Sequence, residues 1–147
     1  MPWKMLTPFA KDIWTDTRNA TFFGVECGSR MTVVRLRSGG LFVHSPVALD
    51  EETQRQVRAL GEVRAVVAPS LFHHLYVAQW MAAFPSALYA ACPGLDWKRA
   101  DLPWNVVLGD RNHADRVGLA DAADAFDDAR LWRAEAPRRL DVRHHDL

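Results

Sequence analysis

The residues best equipped for chemistry are two adjacent histidines, His73 and His74, in the string Pro69-Ser-Leu-Phe-His-His-Leu-Tyr-Val-Ala-Gln-Trp80. A neutral imidazole binds metal ions and accepts protons near neutral pH, so this pair is the first place to look for either activity. The string follows a short β-branched run and reads as the start of a helix, the kind of junction where α/β folds place their sites. In a first helical turn both rings would feel the positive end of the dipole, which favours the neutral form. Adjacent helical side chains point about 100° apart, however, so the two rings cannot readily grip one ion together. One is expected to face inward and the other solvent or a loop.

His44, closing the run Leu41-Phe-Val-His, is the third candidate, because it reaches the same sheet edge if its strand neighbours Val63–Ala68. His44 with His73 or His74 makes half of a zinc site, whereas a closed structural site takes four ligands and a catalytic one usually three. A plainer reading competes: Val77 and Trp80 share the His73 side of the helix, and an apolar wall fits a histidine satisfied in the core or at a cap. Other chemistry is thinner. Ser45-Pro46 lacks the Gly-x-Ser-x-Gly elbow, and no glycine-rich phosphate loop precedes a helix. Cys27 and Cys92 have no C-x-x-C partner and are expected to be free thiols, and His144-His145 reads as a solvated tail.

The elements that must position the histidines are legible. Residues 1–19, rich in Trp, Pro and Asp, suggest an irregular strap held by its aromatic rings. From Ala20 to Val47 the runs Thr21–Glu26, Met31–Arg37 and Leu41–His44 are β-branched and aromatic, and Ser38-Gly39-Gly40 is a hairpin turn between the last two. Asp50–Gly61 carries helix start and stop signals, with Asp50 as N-cap, acids in the first turn and Gly61 as a left-handed terminator. Val57, Ala59 and Leu60 give that helix a narrow apolar stripe. Val63–Ala68 reads as a strand buried on both faces, Leu71–Phe84 as a helix capped by Ser70 and stopped by Pro85, and Ala87–Ala91 and Trp104–Leu108 as further strands. The strands after Asp50 are expected to run parallel, which makes the fold class α/β (α+β).

Eighteen basic residues balance eighteen acidic ones, and no cationic stripe is interleaved with aromatics, so nucleic acid is not an expected partner. No stretch approaches the roughly 20 apolar residues of a membrane span, and no secretory signal is visible, so a cytoplasmic protein without a membrane partner is expected. After Gly109 the texture changes: residues 111–147 hold seven Arg and no Lys, and seven Asp against one Glu. Leu119, Phe126, Ala129 and Trp132 suit an amphipathic helix, and a slipped reading frame is the competing account of this tail.

The strings Arg30-Met-Thr-Val-Val-Arg-Leu-Arg-Ser-Gly-Gly-Leu-Phe-Val-His-Ser-Pro46 and Val66-Val-Ala-Pro-Ser-Leu-Phe-His-His-Leu-Tyr76, followed by Trp80, Phe84-Pro85, Ala90 and Pro93-Gly-Leu95, resemble an uncharacterised domain family within the metallo-β-lactamase-like superfamily. The resemblance covers about residues 1–110 and implies the N-terminal half of an αββα sandwich, with residues 111–147 as a divergent tail. In that superfamily the loop after this strand carries a His-x-His-x-Asp-His motif that binds zinc and positions a hydrolytic water. Placed on the motif, His74 takes the last histidine's position and His73 the aspartate's, while Leu71 and Pro69 stand at the first two histidines. Relatives continue into a second half that supplies further ligands and the other sheet.

The resemblance therefore implies a degenerate metal site with no resident cofactor, in a binding or vestigial module more than a working hydrolase. The alternative is a zinc-dependent hydrolase using His44, His73 and His74 with ligands from elsewhere. It also implies a sheet face left uncovered, through which the chain would pair as a homodimer.

Overall fold

The structure, a computed structural model, describes residues 6–109. A seven-stranded mixed sheet is its centre. In chain order the elements are β1 (Thr7–Ala10), β2 (Ile13–Arg18), β3 (Thr21–Phe22), β4 (Val25–Glu26), β5 (Ser29–Arg35), β6 (Leu41–His44), α1 (Glu51–Leu60), β7 (Val63–Ala68), α2 (Val77–Ala83), β8 (Leu88–Ala91), α3 (Leu95–Lys98) and β9 (Val106–Val107). The sheet order is β1-β2-β5-β6-β7-β8-β9, and β3 with β4 forms a separate two-stranded ribbon. Within the sheet β1, β2, β5 and β6 pair antiparallel, while β7, β8 and β9, the strands after Asp50, pair parallel as expected, and β6 joins them parallel to β7.

The N-terminal segment departs from the expected irregular strap. Its described part is β1 and β2, an antiparallel pair turned at Asp12, whose φ is 58°. Pro8 is tolerated because β1 lies at the sheet edge, where a missing N–H interrupts no further ladder. Trp14 still packs on the core, and the Arg35 guanidinium lies 4.9 Å from its ring centroid while bonding Asp12 at 3.0 Å.

Helix α1 starts as predicted: Asp50 Oδ1 accepts from Thr53 N at 2.8 Å and from Thr53 Oγ1 at 2.7 Å. Its buried side chains are Thr53 and Val57, and Ala59 is exposed, so the stripe is narrower and more polar than the sequence suggests. Gly61 is not in the left-handed helical region: its φ of 158° with ψ of −172° is a conformation essentially confined to glycine, and a Cβ there would also meet the Gly39 carbonyl oxygen at 2.6 Å. Asp50 also belongs to a network with β2: Arg18 donates to Asp16 at 2.8 Å, to Thr53 Oγ1 at 2.6 Å and to Asp50 at 3.1 Å. Burial opposes the charges of this network, but the hydrogen bonds and ion pairs outweigh it, holding Asp50 below the ordinary carboxylate range and raising Arg18.

Alternation divides the sheet into two faces. One carries Met31, Val33, Leu41, Val43, Val66, Tyr89 and Ala91, and Val57, Val77, Trp80 and Leu95 of the three helices join them in one core cluster. Trp80 Nε1 donates to the Val47 carbonyl at 2.7 Å, and the Tyr89 hydroxyl, pushed up by burial, lies 2.7 and 2.8 Å from the carbonyls of Trp80 and Phe84. On the other face, cross-strand register lines up Ile13, Val34, Phe42, Ala65 and Leu88 in one row, with Thr15, Thr32, His44, Val67 and Ala90 in the next.

Candidate functional site

The parallel register sets the end of β6 beside the end of β7: His44 pairs with Val67, two residues before Pro69. Beyond Pro69 the expected helix does not begin. Residues 71–76 form successive turns, and α2 starts at Val77 with Tyr76 as its N-cap. Ser70 organises these turns, accepting from Phe72 N at 3.2 Å through its hydroxyl and from His73 N at 3.1 Å through its carbonyl. His73 and His74 therefore precede the helix and do not stand in its first turn.

Their pKa values are nevertheless lowered, for other reasons. Partial burial lowers His73, and the nearby charge of His44 adds to it. His44 is exposed along one edge, yet the protein around its ring disfavours the imidazolium and lowers it too. His74 is lowered by burial first, then by the cations Lys98 and Arg99, with Asp101 opposing them. His44 and His73 thus share one neighbourhood, and His74 belongs to another, made by α3 and the residues after it.

Each ring nitrogen nearest the protein has a partner. His73 Nδ1 lies 2.6 Å from Ser70 Oγ, and His44 Nδ1 lies 3.3 Å from Ser45 Oγ. Ser45 is buried and held at φ 59°, a conformation that costs a non-glycine residue energy and fixes the exit from β6. Arg99 is gripped by Asp101 through two bonds of 2.8 Å, and from that position its Nη1 reaches His74 Nδ1 at 3.1 Å and the His74 carbonyl at 3.3 Å. A guanidinium can only donate, so Nδ1 of His74 must accept, and the single proton of the neutral ring sits on Nε2. A ring in that state offers a metal no lone pair at Nε2.

An apolar rim adjoins the histidines. The Phe22 ring meets Phe72 edge-on at 5.1 Å, Lys98 Nζ stands 5.4 Å from the Phe72 ring centre and donates to the Leu71 carbonyl at 2.8 Å, and Leu71 and Leu75 are exposed. Phe23, at the tip of the β3–β4 ribbon, is 97% exposed with φ 48°.

Among the described residues, no three or more His, Cys, Asp or Glu side chains stand where they could hold one metal ion. The site residues that sequence reasoning passed over are Lys98, Arg99 and Asp101, while Ser70, expected to cap a helix, instead meets His73 Nδ1. The stretch around Trp97-Lys-Arg reads only as polar, because nothing local reveals that α3 folds back beside residue 74.

The model of the family described as "Domain of unknown function (DUF4336)" matches residues 10–108. The chain belongs to the DUF4336 family. No curated protein matches this DUF4336 chain by sequence. Its fold is similar to that of solved metallo-β-lactamases. A "Metallo-beta-lactamase from Pontibacter korlensis" is 13% identical with a TM-score of 0.54, over 72% of this chain and 53% of its own. The DIM-1 metallo-β-lactamase exposed to ceftazidime is 18% identical with a TM-score of 0.56, over 73% of this chain and 52% of its own. The enzyme from Hirschia baltica is 10% identical with a TM-score of 0.55, over 72% and 52%. The DUF4336 chain thus has a mixed α/β, metallo-β-lactamase-like fold and spans about half the length of these neighbours. No described helix of this DUF4336 domain is long and apolar enough to cross a membrane.

Among its cysteines, Cys27 is exposed, Cys92 is buried, and both are free thiols as predicted. His144-His145, the tail helix and the slipped-frame account fall outside the described residues, as does all of the proposed 111–147 segment.

Proposed function

We propose that this domain is a binding module of the metallo-β-lactamase-like superfamily that works without a resident zinc, and that it is not a hydrolase. The observation carrying this reading is the Arg99–His74 contact of 3.1 Å. The fold family implies zinc, and the donor set here does not fit it: with His74 Nδ1 accepting from Arg99, the candidate ligands are reduced to His44 and His73. Two imidazoles are fewer than the usual three of a catalytic zinc site. Arg99, itself paired with Asp101, instead holds His74 as an Nε2–H donor, and Lys98, whose charge acts on His74, stands over the Phe72 ring. Such a surface suits a ligand that pairs a hydrogen-bond acceptor with an apolar part.

Zinc titration followed by exhaustive dialysis and elemental analysis tests this reading. The expected result is no stoichiometric retention. One equivalent of zinc, lost on His73→Ala or His74→Ala, would overturn it.

The second reading, a zinc-dependent hydrolase using His44, His73 and His74, is favoured by one observation. His44 and His73 are close enough for the charge of one to lower the pKa of the other, and both are biased toward the neutral, ligating form. It requires Arg99 to leave His74 and further ligands to arrive from elsewhere. The same titration separates the two readings.

A further inference from the structure

At the end of the sheet opposite the histidines lies an open cleft of about 510 Å³. Residues 61–62, between α1 and β7, and residues 84–87, between α2 and β8, line it at the N-terminal ends of those two strands. Its volume falls within the roughly 300–1,000 Å³ of small-molecule sites. His44 pairs near the other end of β7, a strand that extends roughly 20 Å at about 3.3 Å per residue, so the cleft is separate from the candidate site.

The floor of the cleft is apolar: Val63, Phe84 and Ala87 are buried. Its walls carry two opposite charges. The Arg58 guanidinium lies 4.9 Å from the Phe84 ring centre, and its Nη2 donates to the Ala83 carbonyl, at the end of α2, at 3.0 Å. Stacked and tethered in this way the group is held in position, while its other N–H donors have no partner among the described residues. The Glu62 side chain is 70% exposed, and the Arg64 guanidinium comes no nearer to it than 3.8 Å, beyond hydrogen-bonding distance. Arg58 and Glu62 form no ion pair with each other, although both line the cleft. The hydroxyl of Ser86, on the same lining, has no partner among the described residues either.

We propose that this cleft binds a small zwitterion, an apolar α-amino acid, with its carboxylate on Arg58, its ammonium group on Glu62 and its side chain on Phe84 and Val63. The two charges select the ligand class. A fixed guanidinium presents N–H donors in a fork that matches a carboxylate. A carboxylate in the same cleft repels a simple anion and favours a ligand that carries a cation as well. The buried floor accepts an apolar side chain and offers no partner to a polar one. Because the histidines take no part, the inference stands whether or not zinc binds.

Amide proton–nitrogen NMR spectra of the full chain, titrated with L-leucine, test it. Saturable shifts are expected at Gly61, Glu62, Ser86 and Ala87, with a Kd on the order of 1 mM, and none at His73 or His74. Leucinamide, which lacks the carboxylate, and N-acetylleucine, which lacks the ammonium group, should each bind the wild type at least about tenfold more weakly. In Glu62→Gln, a change on an exposed side chain, the preference for leucine over N-acetylleucine should vanish. Arg58 also ties α1 to α2, so the comparison of leucine with leucinamide on the wild type tests its role without a variant that could loosen the fold. The absence of saturable shifts up to about 50 mM leucine, shifts centred on the histidines, either analogue binding as tightly as leucine, or a preference that persists in Glu62→Gln would each overturn the proposal.

Discussion

Arg99 Nη1 lies 3.1 Å from Nδ1 of His74, and this contact fixes which nitrogen of that ring carries its proton. Arginine has five N–H donors and no acceptor, so the contact has one chemically sensible assignment. Asp101 holds the guanidinium in place through two bonds of 2.8 Å. The relationship turns a residue that the sequence offers as a ligand into a fixed hydrogen-bond donor.

The first prediction concerns that ring. Nitrogen-15 NMR of the imidazoles should show His74 as the neutral Nε2–H tautomer at pH 7, titrating below the ordinary 6.5. Arg99→Met removes a cation and a donor, so the His74 pKa should rise toward the ordinary value. An Nδ1–H tautomer in the wild type would contradict the assignment.

Stability should fall on mild acidification. The folded pKa values of His44 and His73 lie below the ordinary 6.5, so the unfolded chain takes up protons first as pH falls. Their contribution is fully present above pH 6.5 and is lost progressively below it, until the folded-state values are reached. Urea unfolding midpoints measured from pH 7.5 to 5 should decline, and the double variant His44→Gln/His73→Gln should flatten that decline. A midpoint unchanged over this range would refute the expectation.

Two carboxylates of the Arg18 network should respond unequally. Asp16→Ala leaves the buried Arg18 without its nearest counter-ion, a loss on the order of 3–5 kcal/mol. Asp50→Ala removes an N-cap whose side chain is half exposed, and should cost about 1–2 kcal/mol. Denaturant titration of both variants checks the order, and a larger loss for Asp50→Ala would be the wrong sign.

Trp80 anchors α2 by volume and by one hydrogen bond. Trp80→Phe keeps most of the apolar contact but leaves the Val47 carbonyl without its donor, for about 1–3 kcal/mol. Trp80→Ala adds a cavity and should cost about 3–5 kcal/mol. Equal losses in the two variants, read from thermal unfolding, would show that the hydrogen bond and not the packing carries the anchor.

Much of the scaffold was legible because its signals are local. Asp50 caps α1 through Thr53, the glycines after Ser38 turn the β5–β6 hairpin, and the β-branched run Val63–Ala68 forms a central parallel strand. Each of these depends on the conformational preferences of residues within a few positions of one another. The segment before Ala20 reads as irregular because β2 is held by β5, more than ten residues further along the chain, and β1, an edge strand containing Pro8, forms only against β2.

The sequence by itself determined the composition of the candidate site: three histidines, at position 44 closing one β run and at positions 73 and 74 on the loop that leaves another. Only the tertiary structure decided what each can do. Parallel pairing of β6 with β7 brought His44 to His73, and the return of the chain through α3 placed Arg99 against His74. Those outcomes depend on contacts between residues more than 20 positions apart, which no local pattern of residue types encodes.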